Sequence, residues 1–155
     1  MIACNRRRPA ARRGAVAVEN VLVLNVMFSL LLGVIVLGMG VYRYQEMSYL
    51  AREGARWASV HGTQYASDTG NPAATAADVY TSAIQPQMAA LDTAQFSYTV
   101  TWSSSNAPYH TAIDADNNLV KVANTVTVTV RYNWVPEAYL GGVLLTSTSV
   151  MPMSY

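Results

Sequence analysis

Glu19 is the residue best placed to do chemistry that a packed core would not require. It stands five positions after Gly14, between a cluster of arginines and an apolar run that continues to Val41. An ionised side chain in a spanning helix costs roughly 2.5–3.5 kcal/mol at mid-helix and less near the interface. A carboxylate kept at that boundary marks function by default. The segment Gly14-Ala-Val-Ala-Val-Glu19 therefore reads as a processing and assembly signal and not as a catalytic one. The plain alternative is a first-turn glutamate favoured by the helix dipole, its head group snorkelling to water.

The remaining reactive inventory is thin. His61 and His110 are the only histidines and Cys4 the only cysteine. A zinc site would have to take its other ligands from carboxylates, so each histidine reads as a surface or helix-end residue. A lone cysteine allows no disulfide within the chain. Asp114-Ala-Asp116-Asn-Asn118 copies the first three ligand positions of a calcium loop. Leu119 stands where that loop needs glycine and Thr125 where it needs glutamate. The segment is expected to be a turn before a strand, where Asp and Asn are at home. No serine sits in a nucleophile elbow, and no carboxylate pair is spaced for acid–base work. The expectation is a non-enzymatic protein without metal or cofactor.

Glu19 must be held by a membrane segment. Residues Val21–Val41 are almost wholly apolar, and Asn25, Ser29, Gly33, Gly38 and Gly40 interrupt the run without adding charge. About 20 helical residues at 1.5 Å each cross a hydrocarbon core of about 30 Å. A secretory signal peptide would have a shorter apolar core and a small-residue cleavage site after it. Val41-Tyr-Arg-Tyr-Gln-Glu-Met supplies none, so the run reads as a retained anchor. Arg6, Arg7, Arg8, Arg12 and Arg13 precede Gly14, and Arg43 alone follows the run closely. The positive-inside rule then puts the N-terminus in the cytoplasm and the bulk of the chain outside. Beyond Gly14, five basic residues against nine acids leave a charge near −4. That balance argues against nucleic acid as a partner. Ser29 and Gly33 form a small-xxx-small pair, and the run's glycines would permit close helix contacts.

The helix is expected to continue past the membrane. Val41, Tyr44, Met47, Leu50, Ala51, Gly54, Trp57 and Ala58 recur at three- and four-residue steps, with charges on the other side. One helix from about Val16 to Val60 follows, stopped at His61-Gly62. Asp68–Pro72 reads as a loop, with Asn71 capping a helix that has Pro72 at its first position. Ala77, Tyr80, Ile84, Met88 and Leu91 mark that helix's face, with a kink before Pro86. The period then changes to two. Phe96, Tyr98, Val100 and Trp102 alternate with polar residues, as do Val126, Val128, Val130, Tyr132 and Trp134. Val120 and Val122 extend the second series, and Val143–Met151 offers a third strand. The fold expected is α+β: a basic leader over 1–14, a transmembrane and amphipathic helix over 15–60, and a small extracytoplasmic domain over 61–155. That domain holds a short helix and an antiparallel sheet, whose apolar face takes the amphipathic half of the long helix.

A basic leader, Gly14, Ala15, Glu19 and an apolar helix together resemble type IV pilin-like precursors. With Ala51-Arg52-Glu53-Gly54-Ala55-Arg56 and the ending Ser149–Tyr155, the chain is similar to the TadE family, the minor pilins or pseudopilins of Tad (Flp) pili. The resemblance implies a structural subunit in the inner membrane, cut after Gly14 by a prepilin peptidase on the cytoplasmic side. Glycine suits that position because it lets an extended chain enter a narrow cleft. Cutting would leave an α-ammonium on Ala15, one helical turn from Glu19 on the same face. The carboxylate could neutralise that terminus or a neighbouring subunit's, fixing axial register. The implied partners are the peptidase, other pilin-like subunits, the inner-membrane assembly platform and the lipid bilayer. The family usually carries an aromatic residue where this chain has Asn20, and a proline near Asn25. The missing proline implies a straighter helix. A membrane-anchored extracytoplasmic binding module unrelated to pili is the rival reading.

Overall fold

The computed structural model describes residues 12–88, 91–136 and 141–155. The leader up to residue 11, with Cys4, lies outside the described residues. Helix α1 spans Arg12–Val60, 49 residues in a single α-helix. It begins four residues before Val16, so Arg12–Gly14, which the sequence places in the leader, are helical. Pro9 is the last proline before Pro72, and nothing from Arg12 to Val60 denies the backbone its hydrogen bonds. The helix runs on past Asn25 without interruption.

The chain divides after Met39 into two compact units. In the first, every residue from Val16 to Ile35 is exposed. This is the one helix among the described residues long and apolar enough to cross a membrane.

The second unit is built around a three-stranded antiparallel sheet in the order β1-β4-β5: β1 is Phe96–Trp102, β4 Thr125–Trp134 and β5 Val143–Pro152. Valine and threonine alternate along β4 because one face is packed and the other wet. Val126, Val128 and Val130 are fully buried, and Tyr132 and Trp134 nearly so. The later part of α1 lies on that face through Met47, Leu50, Ala51, Ala55 and Ala58, all fully buried. Val41 and Tyr44, expected on the packed stripe, are exposed, and Ser59 joins it instead.

Two glycines set how closely helix and sheet approach. A Cβ on Gly40 would lie 2.9 Å from the Trp134 ring, and one on Gly54 would lie 3.3 Å from both Ile84 and Val128. Gly40 thus makes room for its own sheet. Fourteen helical residues rise about 21 Å, and the six strand steps from Val128 to Trp134 cover about 20 Å. The match means that β4 runs along α1 in the opposite sense.

The connection from α1 to the sheet departs from the expected loop and helix. Thr63–Thr69 forms helix α2, closed by Gly70 at φ 74°. Asp68 and Thr69 therefore belong to a helix. The next helix, α3 (Ala76–Val79), is capped by Thr75 and not by Asn71. Thr75 and Asp78 form a reciprocal capping box: the Asp78 N–H donates to the Thr75 hydroxyl, and the Thr75 N–H donates to the Asp78 carboxylate at 2.9 Å. The Thr75 hydroxyl and N–H together hold the Asp78 carboxyl below its ordinary pKa. A π-helical turn (Tyr80–Ile84) and a 3-10 turn (Gln85–Gln87) follow, where a kink before Pro86 was expected. The wider turn shifts the packed face. Val79, Ala83, Ile84, Met88 and Leu91 are buried, and Ala77 is exposed.

Val120 and Val122 do not extend β4. They lie in β3 (Leu119–Ala123), which pairs only with β2 (Tyr109–Ile113) in a separate two-stranded sheet. Asn124 makes the break. It is fully buried, and its side chain accepts from Ser103 and His110 and donates to Ser105 and to the Ala107 carbonyl. A buried amide with this many partners fixes the loop that returns the chain to the sheet.

Candidate processing and assembly site

Gly14, Ala15 and Glu19 all lie in the first turns of α1. The first four N–H groups of a helix have no intrahelical acceptor, so this end is the cheapest part to unwind. A Cβ at Gly14 would meet nothing within 4 Å, and Gly14 itself is exposed. The peptide bond after it is helical, not extended. Ala15 and Glu19 are four residues apart and share a face. The Glu19 side chain is exposed. One turn further, Leu22, Val23, Val26, Met27 and Leu30 line a shallow apolar hollow of about 420 Å³.

Residues Ala51–Arg56 lie in the other unit and do other work. Ala51, Gly54 and Ala55 are buried against the sheet and the π-helical turn. Arg52 and Arg56 are exposed. Arg52 Nε donates to the Ser48 carbonyl at 3.1 Å, and Arg56 pairs with Glu53 at 2.7 Å. That hydrogen bond raises the Arg56 pKa further. The motif is one face of small residues for close packing and one charged face for water. Nothing in it is arranged for catalysis.

Two hollows flank this part of the helix. Tyr44, Gln45, Ser48, Arg52, Ser147 and Thr148 line a polar groove of about 460 Å³. Trp57, His61, Tyr65, Asn71, Pro72, Ala74, Asp78 and Ser82 line a smaller one of about 250 Å³. His61 stacks on Trp57 with centroids 3.9 Å apart and hydrogen-bonds the Trp57 carbonyl through Nδ1 at 2.8 Å. It is the helix-end residue expected. His110 Nδ1 donates to Asn124 Oδ1 at 2.7 Å, a structural bond. Asp114 is equally committed. Its Oδ1 accepts from the N–H groups of Asp116 and Asn118 at 3.0 and 2.8 Å, closing the β2–β3 turn with Asn117 at φ 62°. The expected turn is present.

Sequence reasoning missed the lock on the end of α1. The Ser59 carbonyl accepts from the Ser154 and Tyr155 N–H groups, and the Gly62 N–H donates to the Tyr155 carbonyl. A Cβ at Gly62 would collide with the carbonyls of Asn106 and Tyr155. The Tyr155 hydroxyl donates to the Asp68 carboxylate. The signal available beforehand was the glycine after His61, which was read only as a helix stop.

The fold is α+β, with one helix among the described residues long and apolar enough to anchor it in a membrane. Residues 14–56 match the model of a known family, described as TadE-like protein. The resemblance is thereby borne out over the stretch from Gly14 to Arg56, which includes Glu19 and the Ala51–Arg56 run. The ending Ser149–Tyr155 lies beyond the match. No curated protein and no solved structure matches the chain.

Proposed function

We propose that the chain is a pilin-like structural subunit of a Tad (Flp) pilus or a related secretion apparatus. It is cut after Gly14 by a prepilin peptidase and held in the inner membrane by α1, with the sheet domain extracytoplasmic. The observation that carries this reading is Gly14 and Glu19 at the head of an apolar stretch whose residues from Val16 to Ile35 are all exposed, inside the TadE-like match. Cleavage frees an amine on Ala15, and Glu19 pairs with it or with that of the neighbouring subunit. An unpaired charge at the edge of a low-dielectric layer is far worse than a paired one, so the pair selects the axial register of assembly. The partners are the peptidase, other pilin-like subunits and the inner-membrane platform.

Mass spectrometry of the membrane-extracted protein is expected to find Ala15 at the N-terminus. Glu19→Ala is expected to leave the protein in the membrane but out of assembled fibres. The hollow beside Trp57 and Tyr65 favours a second reading, a membrane-anchored binding module. An intact leader, together with full function of Glu19→Ala, would choose that reading instead.

A further inference from the structure

The smaller hollow, at the end of α1, gathers acceptors and aromatic rings but no lysine or arginine. His61, Asn71, Asp78 and Ser82 supply its polar wall, and Trp57 and Tyr65 its rings. Each polar group there keeps an atom open. A backbone carbonyl can only accept, so the 2.8 Å bond between His61 Nδ1 and the Trp57 carbonyl puts a proton on Nδ1. In the neutral ring Nε2 is then a bare acceptor. The ring is held in place by stacking on Trp57 at 3.9 Å and by Tyr65 at 4.6 Å. Asn71 Nδ2 donates to the Tyr65 hydroxyl at 3.4 Å, which leaves Asn71 Oδ1 unused. Asp78 Oδ2 takes both Thr75 donors, and Oδ1 takes none among the described residues. The Ser82 hydroxyl has no partner among them either.

We propose that this hollow binds a guanidinium group. Its lining calls for a ligand that brings donors and positive charge. A guanidinium carries five N–H donors and no acceptor, is planar, and packs well on aromatic rings. A charge-assisted bond to Asp78 is the strongest contact on offer, and the Trp57 and Tyr65 rings add cation–π attraction. An ammonium is a compact, strongly hydrated point charge with three donors, a poorer match for four separate acceptors. Volume sets the scale. About 250 Å³ lies below the roughly 300–1,000 Å³ of sites for drug-sized ligands, so one side-chain-sized group fits and a whole cofactor does not. An arginine of another polypeptide and a free guanidine compound offer the same chemistry here. Neither Gly14 nor Glu19 takes part, so binding at the hollow and the pilin role stand or fall separately.

The test uses the full chain, isotope-labelled, in detergent micelles at about pH 8, above the ordinary imidazole range. Methylguanidinium and an acetylated Gly-Arg-Gly amide are titrated in, each against its methylammonium or Gly-Lys-Gly counterpart. Both guanidinium probes are expected to shift the His61 Nε2 and Trp57 indole resonances and to leave those of His110, which is bonded to Asn124, unmoved. Tighter binding of the peptide assigns the group to a polypeptide, and equal affinities assign it to a free guanidine; both uphold the proposal. Asp78→Asn keeps an oxygen for Thr75 but turns the open oxygen into a donor. It should weaken binding about tenfold, the loss of one charge-assisted hydrogen bond. Ser82→Ala should weaken it about threefold, and it decides the matter if the Asp78→Asn chain does not fold. Probes that shift neither resonance overturn the proposal, as do ammonium probes that bind as tightly or folded variants that bind like the parent.

Discussion

One helix carries two opposite solutions to the problem of an apolar surface. From Val16 to Ile35 its side chains are large and bare; Leu30 is 67% exposed. From Met47 to Ser59 the packed stripe is largely small, with Ala51, Gly54, Ala55 and Ala58 buried against the sheet. The difference teaches what each half was built to meet. A bilayer is a fluid apolar solvent that accepts any bulky outline, so leucine and valine suffice. A sheet face is a fixed relief, and a helix comes close to it only where side chains have been pared down.

Substitutions should therefore cost stability in one half and spare it in the other. The largest effect is expected from Leu50→Ala, which empties a fully buried site and should lower unfolding stability by about 2–5 kcal/mol. Leu30→Ala should leave the domain's denaturant midpoint where it was. Equal losses from the two would break the comparison. Next comes Gly54→Leu, which forces a side chain into the space held by Ile84 and Val128 and should cost about 1–3 kcal/mol. At Gly33 a Cβ meets nothing within 4 Å, so Gly33→Leu should not move the thermal midpoint of the domain. Thr75→Ala sharpens the picture by removing half of the capping box that starts α3, and calorimetry should register a loss of about 1 kcal/mol.

The smallest effect is a dependence on alkaline pH at the locked end of α1. The hydrogen bond to Asp68, aided by desolvation and the nearby charge, raises the Tyr155 pKa above its ordinary value. A raised folded-state pKa gives stability that is fully present below the unfolded value of about 10, and it is lost as pH rises through the folded one. Tyr155→Phe should flatten that part of the stability profile above pH 10 while leaving the profile near neutrality almost unchanged. A profile identical to the parent's would show that the bond carries no linkage.

Much of the fold was legible because it rests on local periodicity. The apolar run, the stripe from Met47 to Ala58 and the alternation of β1 and β4 are statements about spacing, and spacing is written in the chain. The segment from Gly14 to Glu19, proposed above for processing, stands out for a related reason: a carboxylate at an apolar boundary is conspicuous whatever surrounds it. Other features depended on distant partners. Val120 and Val122 have the right parity for β4, but buried Asn124 diverts them into a separate hairpin. Asn71-Pro72 carries good capping chemistry, yet Thr75 starts the helix because Asp78 reciprocates its bond and because the Ala74 N–H is held by the His61 carbonyl.

By itself, the sequence determined that Gly14 and Glu19 would sit at the head of a membrane-length helix and that small residues would follow on its later face. Both follow from side-chain hydrophobicity at helical spacing. Only the tertiary structure decided what those small residues meet: Trp134 at Gly40, Ile84 and Val128 at Gly54, and the carbonyls of Asn106 and Tyr155 at Gly62. A missing side chain is visible in a sequence, but the object that needs its space comes from elsewhere in the chain and is known only once the chain has folded back on itself.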